Sequence, residues 1–214
     1  MLTAVTETVR EPKQRRSRDS LQRVLDAGAE LFEELGFEQL TIQQVSQRAG
    51  VSVGAIYARF GNKENLVRAI HRHSMKEIAA MSELLAPGEW TQGLTPGELV
   101  RETVRRESEA FRVYRKILRA SMHLGAIDDV VAGRGSEGSQ VAARAFRSLL
   151  RAELGDRIAH ADPDLALDLC FRMVYCTLAR QVMYGPTFES DRLIEWEELV
   201  EELGNASAAY LLGS

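Results

Sequence analysis

The chain has 214 residues, 45% of them hydrophobic, with only five Pro and no long alternation of apolar and polar positions. That is enough apolar material for a helical core, and it excludes both a wholly disordered chain and a sandwich or barrel of period-two strands. The formal net charge of −4 does not announce a nucleic-acid partner, so any such partner must be sought in how the charge is distributed.

At the start, Arg10, Lys13, Arg15, Arg16 and Arg18 face the single acid Glu11, and residues 1–16 read as a basic flexible arm. Thr3 to Val9 alternate, but beside a charged, Pro-containing segment they read as part of that arm. No apolar run follows a basic head, as a secretory signal would require, which predicts a cytoplasmic protein. Leu21, Val24, Leu25, Gly28, Leu31, Phe32 and Leu35 recur at three- and four-residue steps. This predicts an amphipathic helix closed by Gly36. Thr41 and Gln44 have the spacing of a capping box and open a second helix to about Arg48, with Ile42, Val45 and Ala49 inward. Gly50 can close that helix in the left-handed conformation, and Ser52 can cap a third helix running to Phe60.

Two short helices joined by a tight Gly-containing turn form a helix-turn-helix. The third helix is poor by propensity, with Val53, Gly54 and Ile56 where Ala, Leu or Glu would serve better. Small outward residues let a backbone approach base edges in the major groove, while inward residues such as Ile56 and Phe60 pin the helix to its supports. Val53, Gly54, Ala55, Tyr57 and Arg59 are left to meet double-stranded DNA. Asn62 can cap a fourth helix whose apolar side carries Leu66, Ile70 and Ile78, and Lys63 in its first turn is placed to reach a phosphate.

The stretch LTIQQVSQRAGVSVGAIYARFGNKENLV resembles the DNA-binding segment of the TetR family of bacterial transcriptional regulators, and LDAGAELFEELGFEQ resembles that family's first helix. The Gly-Phe pair, Thr41, the Ala-Gly-Val turn, Tyr57, Phe60, Lys63 and Leu66 fall in register, and the likeness covers about residues 17 to 70. It implies an all-α chain: a helix-turn-helix domain over 17–70, and a helical ligand-binding and dimerisation domain over 71–214. By resemblance Thr41, Ser52, Tyr57 and Lys63 touch phosphates. Val53 and Ala55 depart from the basic or hydroxyl residues often found there, which shifts base reading towards Gln43, Tyr57 or Arg59.

Beyond Ala86-Pro87-Gly88 a second capping box, Thr95 to Glu98 with Pro96 in the first turn, restarts the chain, and two helices are expected to about Ile127. Gly133, Gly135 and Gly138 fit GxGxxG, but no strand leads into them. A dinucleotide site needs that strand, so the glycines read as a flexible inter-helix loop and no cofactor is expected. Val141, Ala145, Phe146, Leu149 and Leu150 form another amphipathic face. Asp162-Pro163 opens an apolar helix over Asp164 to Gly185, interrupted by Asp168, Arg172 and Arg180, which argues against a membrane span. Cys170 and Cys176 read as buried free thiols. The last helix, from about Asp191, sets Leu193, Trp196, Val200, Leu203 and Tyr210 opposite its acids.

The family likeness implies that these last two helices pair across a two-fold axis. Arg172, Leu178, Leu193, Trp196, Val200 and Leu203 are the candidate homodimer contacts, and completion of a monomeric core by the same helices stays open. It further implies a largely apolar cavity for a small-molecule effector, for which Phe111, Met122, His123, Phe146, Phe171, Met173, Tyr175 and Met183 are candidates; for each, plain core packing stays open as well. His71 and His73 are two apart and point in different directions on a helix, while His123 and His160 are isolated, so no metal site is expected. No catalytic cluster is recognisable. The expectation is a ligand-responsive repressor rather than an enzyme, with constitutive or partner-controlled DNA binding as the alternative.

Overall fold

The computed structural model describes residues 15–213, and every regular element among them is helical. The helices are α1 (Arg15–Gln39), α2 (Ile42–Ala49), α3 (Val53–Phe60), α4 (Lys63–Ala80), α5 (Pro96–Val113), α6 (Arg115–Gly125), α7 (Asp129–Leu154), α8 (Pro163–Tyr184) and α9 (Trp196–Leu212). The chain forms two compact units. The first holds the residues up to Glu77 together with Ala120–Gly135, and the second holds Ile78–Arg119 with the residues from Ser136 onward. The sequence division at residue 70 did not include the returning segment 120–135.

In the first unit α1 begins at Arg15, so the end of the expected basic arm is helical; Arg10, Lys13 and the alternating Thr3 to Val9 lie outside the described residues. Gly36 breaks α1 with φ of 73°, a conformation Gly adopts at little steric cost. Val24, Leu31 and Phe32 of α1 are buried with Ile42, Val45, Ile56, Phe60, Leu66 and Ile70, each such side chain contributing roughly 1.5–3 kcal/mol by leaving water. Gly28 allows α1 its close approach: a Cβ there would stand 2.4 Å from Cδ1 of Ile70. The segment 120–135 is fastened to α4 by polar bonds. Arg68 pairs with Asp128 at 2.8 Å, and Arg134 donates to the Arg68 carbonyl at 2.8 Å.

In the second unit, Thr95 and Glu98 make the reciprocal bonds of a capping box at the start of α5. The buried stripe of α5 is Leu99, Val100, Thr103, Val104, Glu107, Ser108 and Phe111, an apolar seam with one acid in it. Helix α9 packs along α5, and Gly204 sits where a Cβ would meet the Arg101 backbone at 3.2 Å. Helix α8 buries Ala166, Leu167, Cys170, Phe171, Val174 and Leu178. Cys170 is buried as expected, whereas Cys176 is exposed: six residues further on, the helix has turned it to another face.

Two sequence expectations change. Gly133, Gly135 and Gly138 lie inside α7 rather than in a loop. The Asp128 carboxylate accepts from the Val130 and Val131 N–H groups at 3.0 and 3.2 Å and starts the helix ahead of the glycines. Helix α9 starts at Trp196 rather than near Asp191, because Gly185 at φ of 84° and Pro186 end α8 and the following stretch is irregular. No helix among the described residues is long and apolar enough to cross a membrane.

Candidate nucleic-acid interface

The geometry of α2 and α3 follows from their caps. Thr41 accepts from the Gln44 N–H at 3.2 Å, and the Gln44 side chain accepts from the Thr41 N–H at 2.8 Å. Gly50 closes α2 at φ of 63°. The turn is held from both sides: the Ser46 hydroxyl donates to the Val51 carbonyl at 2.7 Å, and the Arg23 Nε donates to the Ala49 carbonyl at 3.1 Å. The Ser52 hydroxyl accepts from the Ala55 N–H at 3.3 Å and opens α3. Ile56 and Phe60 are buried and anchor α3, which offsets the low propensity of its sequence.

Thr41, Gln43, Ser52, Gly54, Ala55 and Tyr57 are exposed, and Val53 is half-buried. Tyr57 stands out, with 48% of its surface open. Gln47, one turn beyond Gln43, and Ala58 are also exposed. The four-residue step from Gln43 to Gln47 was the signal for the former.

Two candidates are engaged within the protein. The Arg59 guanidinium donates to the Ser17 carbonyl at 3.1 Å and to its hydroxyl at 2.6 Å, tying α3 to the beginning of α1. The Lys63 ammonium donates to the Glu38 carbonyl at 3.1 Å and lies 4.7 Å over the Phe37 ring, closing the end of α1 with a cation. Arg48 is bonded to Glu34 at 2.9 and 3.0 Å, and that pairing raises its pKa. The exposed face is therefore small and mostly uncharged, with its nearby cations held by local partners.

The effector candidates scatter. Phe111, Phe146 and Phe171 are buried and meet Tyr175 in one cluster. Phe111 and Tyr175 are edge-on at 5.2 Å, Phe171 and Tyr175 lie 5.5 Å apart, and Phe146 and Phe171 are 5.6 Å apart. Met183 is half-buried and Met173 is exposed, while Met122 and His123 fall in the first unit. Sequence reading missed Glu107, one turn before Phe111. It is 7% exposed, and burial pushes its carboxyl up to about 7. The signal was an acid at an apolar position of the α5 stripe. Separately, a groove of about 650 Å³ runs between α5 and α9 past Trp90, Leu94, Trp196 and Val200. None of the eight candidates lines it, and its charges pair with one another, as in Arg105 with Glu102 at 2.7 Å.

Of the proposed dimer contacts, Arg172 is exposed and Trp196 and Leu203 are half-buried, but Leu178 and Val200 are buried inside the chain. Leu193 precedes α9 in irregular chain. The outward apolar stripe of α8 is instead Leu165, Leu169 and Met173, followed by Cys176.

Residues 24–70 match the family of bacterial regulatory proteins, tetR family, and cover α2 and α3 with the parts of α1 and α4 that support them. The A-factor receptor protein of Streptomyces griseus is 33% identical over 40% of this chain and 29% of its own length. The HTH-type transcriptional repressor AcnR of Corynebacterium glutamicum is 35% identical over 32% of this chain and 35% of its own length. The chain thus spans about a third of these curated relatives. A crystal structure of a bacterial regulatory protein in the tetR family from Rhodococcus RHA1 superposes with a TM-score of 0.63, covering 90% of this chain and 96% of that one at 14% identity, a likeness of fold. The capped helix-turn-helix of this chain, residues 24–70, is thus similar to the DNA-binding segment of the tetR family of bacterial regulatory proteins.

Proposed function

We propose that the protein is a homodimeric, sequence-specific DNA-binding regulator, a repressor that a small-molecule effector releases from a palindromic operator. The observation that carries this reading is the rigid presentation of a small-residue α3 surface. Gly54, Ala55 and Tyr57 face outward from a helix held by Ile56, Phe60 and the Arg59 bonds to Ser17. Such a helix brings its backbone close to the groove, Tyr57 and Gln43 supply hydrogen-bonding groups, and Thr41, Ser52 and Lys63 supply phosphate contacts. Lys63 reaches a phosphate by exchanging the Glu38 carbonyl for it. A two-fold dimer supplies two such heads for half-sites about a helical turn or a multiple of it apart. The repressor sign is supported by the name of the AcnR relative and the effector by that of the A-factor receptor.

Selection of DNA from a random library by the purified protein tests the reading. An enriched palindrome, bound about tenfold or more weakly by Tyr57→Ala and with a shallower salt dependence by Lys63→Ala, is the expected result. Folded protein that enriches no sequence would overturn it. An effector then lowers affinity for that operator by as much as its preference between the two conformations allows.

A further inference from the structure

We infer that the half-site under α3 is read through thymine: the 5-methyl groups of A·T pairs meet the methyls of Ala55 and Ala58 beside the bare backbone of Gly54, and no arginine reads a guanine. This rests on the regulator reading and names the base class that its reading head selects.

Ile56 and Phe60 are buried, so helical geometry sets which residues form the opposite side of α3. Gly54, Ala55 and Ala58 occupy it, all three exposed, and none has a side-chain donor or acceptor. Tyr57 stands at one flank and the half-buried Arg59 at the other. A cation that reads a base forks onto O6 and N7 of guanine. The cations of α2, α3 and the first turn of α4 are Arg48, Arg59 and Lys63, and each already has a partner. Both carboxylate oxygens of Glu34 fill the Arg48 fork at 2.9 and 3.0 Å. Arg59 bonds Ser17 twice, and Lys63 bonds the Glu38 carbonyl. Gly54 answers to no crowding within the protein, since a Cβ there would meet nothing within 4 Å, and glycine weakens a helix relative to alanine. The space it leaves open lies on the side turned outward.

A surface of methyls and glycine selects by shape and desolvation. Close contact strips guanine O6 and N7 and the cytosine amino group of water and offers no bond in return, which is unfavourable. The thymine 5-methyl, by contrast, gains by leaving water against another methyl. The polar edge of the paired adenine has its own match: glutamine forks onto adenine N6 and N7, and Gln43 and Gln47 are exposed on α2. Ala55 and Ala58 are three residues apart, so their methyls stand about 5–6 Å from one another. With a base-pair rise of about 3.4 Å, they reach thymines one or two steps apart.

Selection from a random library supplies the operator. Replacing each thymine by uracil in turn then removes one methyl and keeps every hydrogen-bonding group, with affinity read by fluorescence anisotropy at a fixed salt concentration. In each half-site a pair of thymines one or two steps apart is expected to weaken binding about fourfold apiece on losing the methyl. 7-Deazaguanine in place of any guanine of the half-site is expected to leave affinity within about twofold. Ala58→Gly, checked for folding by its melting curve, is expected to lose one of the uracil penalties and keep the other. Gly54→Ala is expected to raise the melting temperature yet bind the operator about tenfold or more weakly, a split that a purely structural role would not produce. Uracil without effect at every position, or a guanine whose 7-deaza analogue binds about tenfold more weakly, would overturn the inference. So would uracil penalties that survive unchanged in Ala58→Gly, or an undiminished affinity in Gly54→Ala. In each of these cases an operator has still been enriched, and the regulator reading stands. Folded protein that enriches no sequence sinks both.

Discussion

Burial holds the Glu107 carboxyl at about 7 against an ordinary 4.5, so between those values the native protein retains a proton that the unfolded chain has lost. Stability therefore falls as pH rises through this window, and the full cost is present above it. Glu107→Gln removes the titration. At pH 8 it is expected to be more stable than the wild type by up to about 3 kcal/mol, with the difference gone by pH 4, as urea unfolding at the two values would show. An equal stability at pH 8 would mean that the carboxyl has found a partner. Glu107 went unread in the sequence, because a lone acid in an apolar register has many possible fates. Its burial depends on α8 and the aromatic rings, which arrive from some 70 residues away. The partners of Arg59 and Lys63 were not legible: a basic residue near a recognition helix suggests DNA, and only tertiary structure brings Ser17 and Glu38 to them.

Among the elements, α1 to α4 were the most legible, because caps, breakers and apolar spacing agree there. Thr41, Gly50 and Ser52 each stand at the helix end their chemistry favours. Gly28 was readable only as part of the periodic stripe; its role is to admit Ile70. Gly28→Ala adds helix propensity but drives a methyl onto a fully buried side chain, and is expected to destabilise the protein by about 1–3 kcal/mol. Ile70→Ala, destabilising alone through its cavity, should cost less in the Gly28→Ala background, so a double-mutant cycle of melting temperatures would show favourable coupling. Helix α7 is the converse case. Its glycines resembled a loop by composition, yet a Cβ at Gly133, Gly135 or Gly138 would meet nothing within 4 Å. Alanine at each of the three is expected to stabilise the protein by about 0.5–1 kcal/mol, measured as a rise in melting temperature. A fall would mean that a methyl group at these positions meets a neighbour.

At the scale of the molecule, the all-helical class followed from periodicity, whereas the faces that the chain itself buries did not. The apolar character of α8 showed that it needs cover on most sides, but the sequence could not say which of its residues the chain itself covers. Leu178 faces inward, while Leu165, Leu169 and Met173 face outward at 62%, 43% and 40% exposure. A second copy covering that stripe would be split by Leu169→Glu with Met173→Glu. Sedimentation is expected to show monomers with unchanged helicity, and a persistent dimer would move the interface elsewhere. The segment 120–135 has a different consequence, one for transplantation. A reading head cut out as the first 77 residues loses Asp128 from Arg68 and Arg134 from the Arg68 carbonyl. It also loses Arg134 and Asp128 from around His71, which is 1% exposed, has an unbonded Nδ1, and is pushed down to about 4 by burial first and Arg134 second. In such an excised head the imidazole meets water and titrates as an ordinary histidine, which NMR would register as a pKa returning towards 6.5. A head grafted onto a foreign sensor must therefore bring with it a strap of chain encoded more than 40 residues downstream.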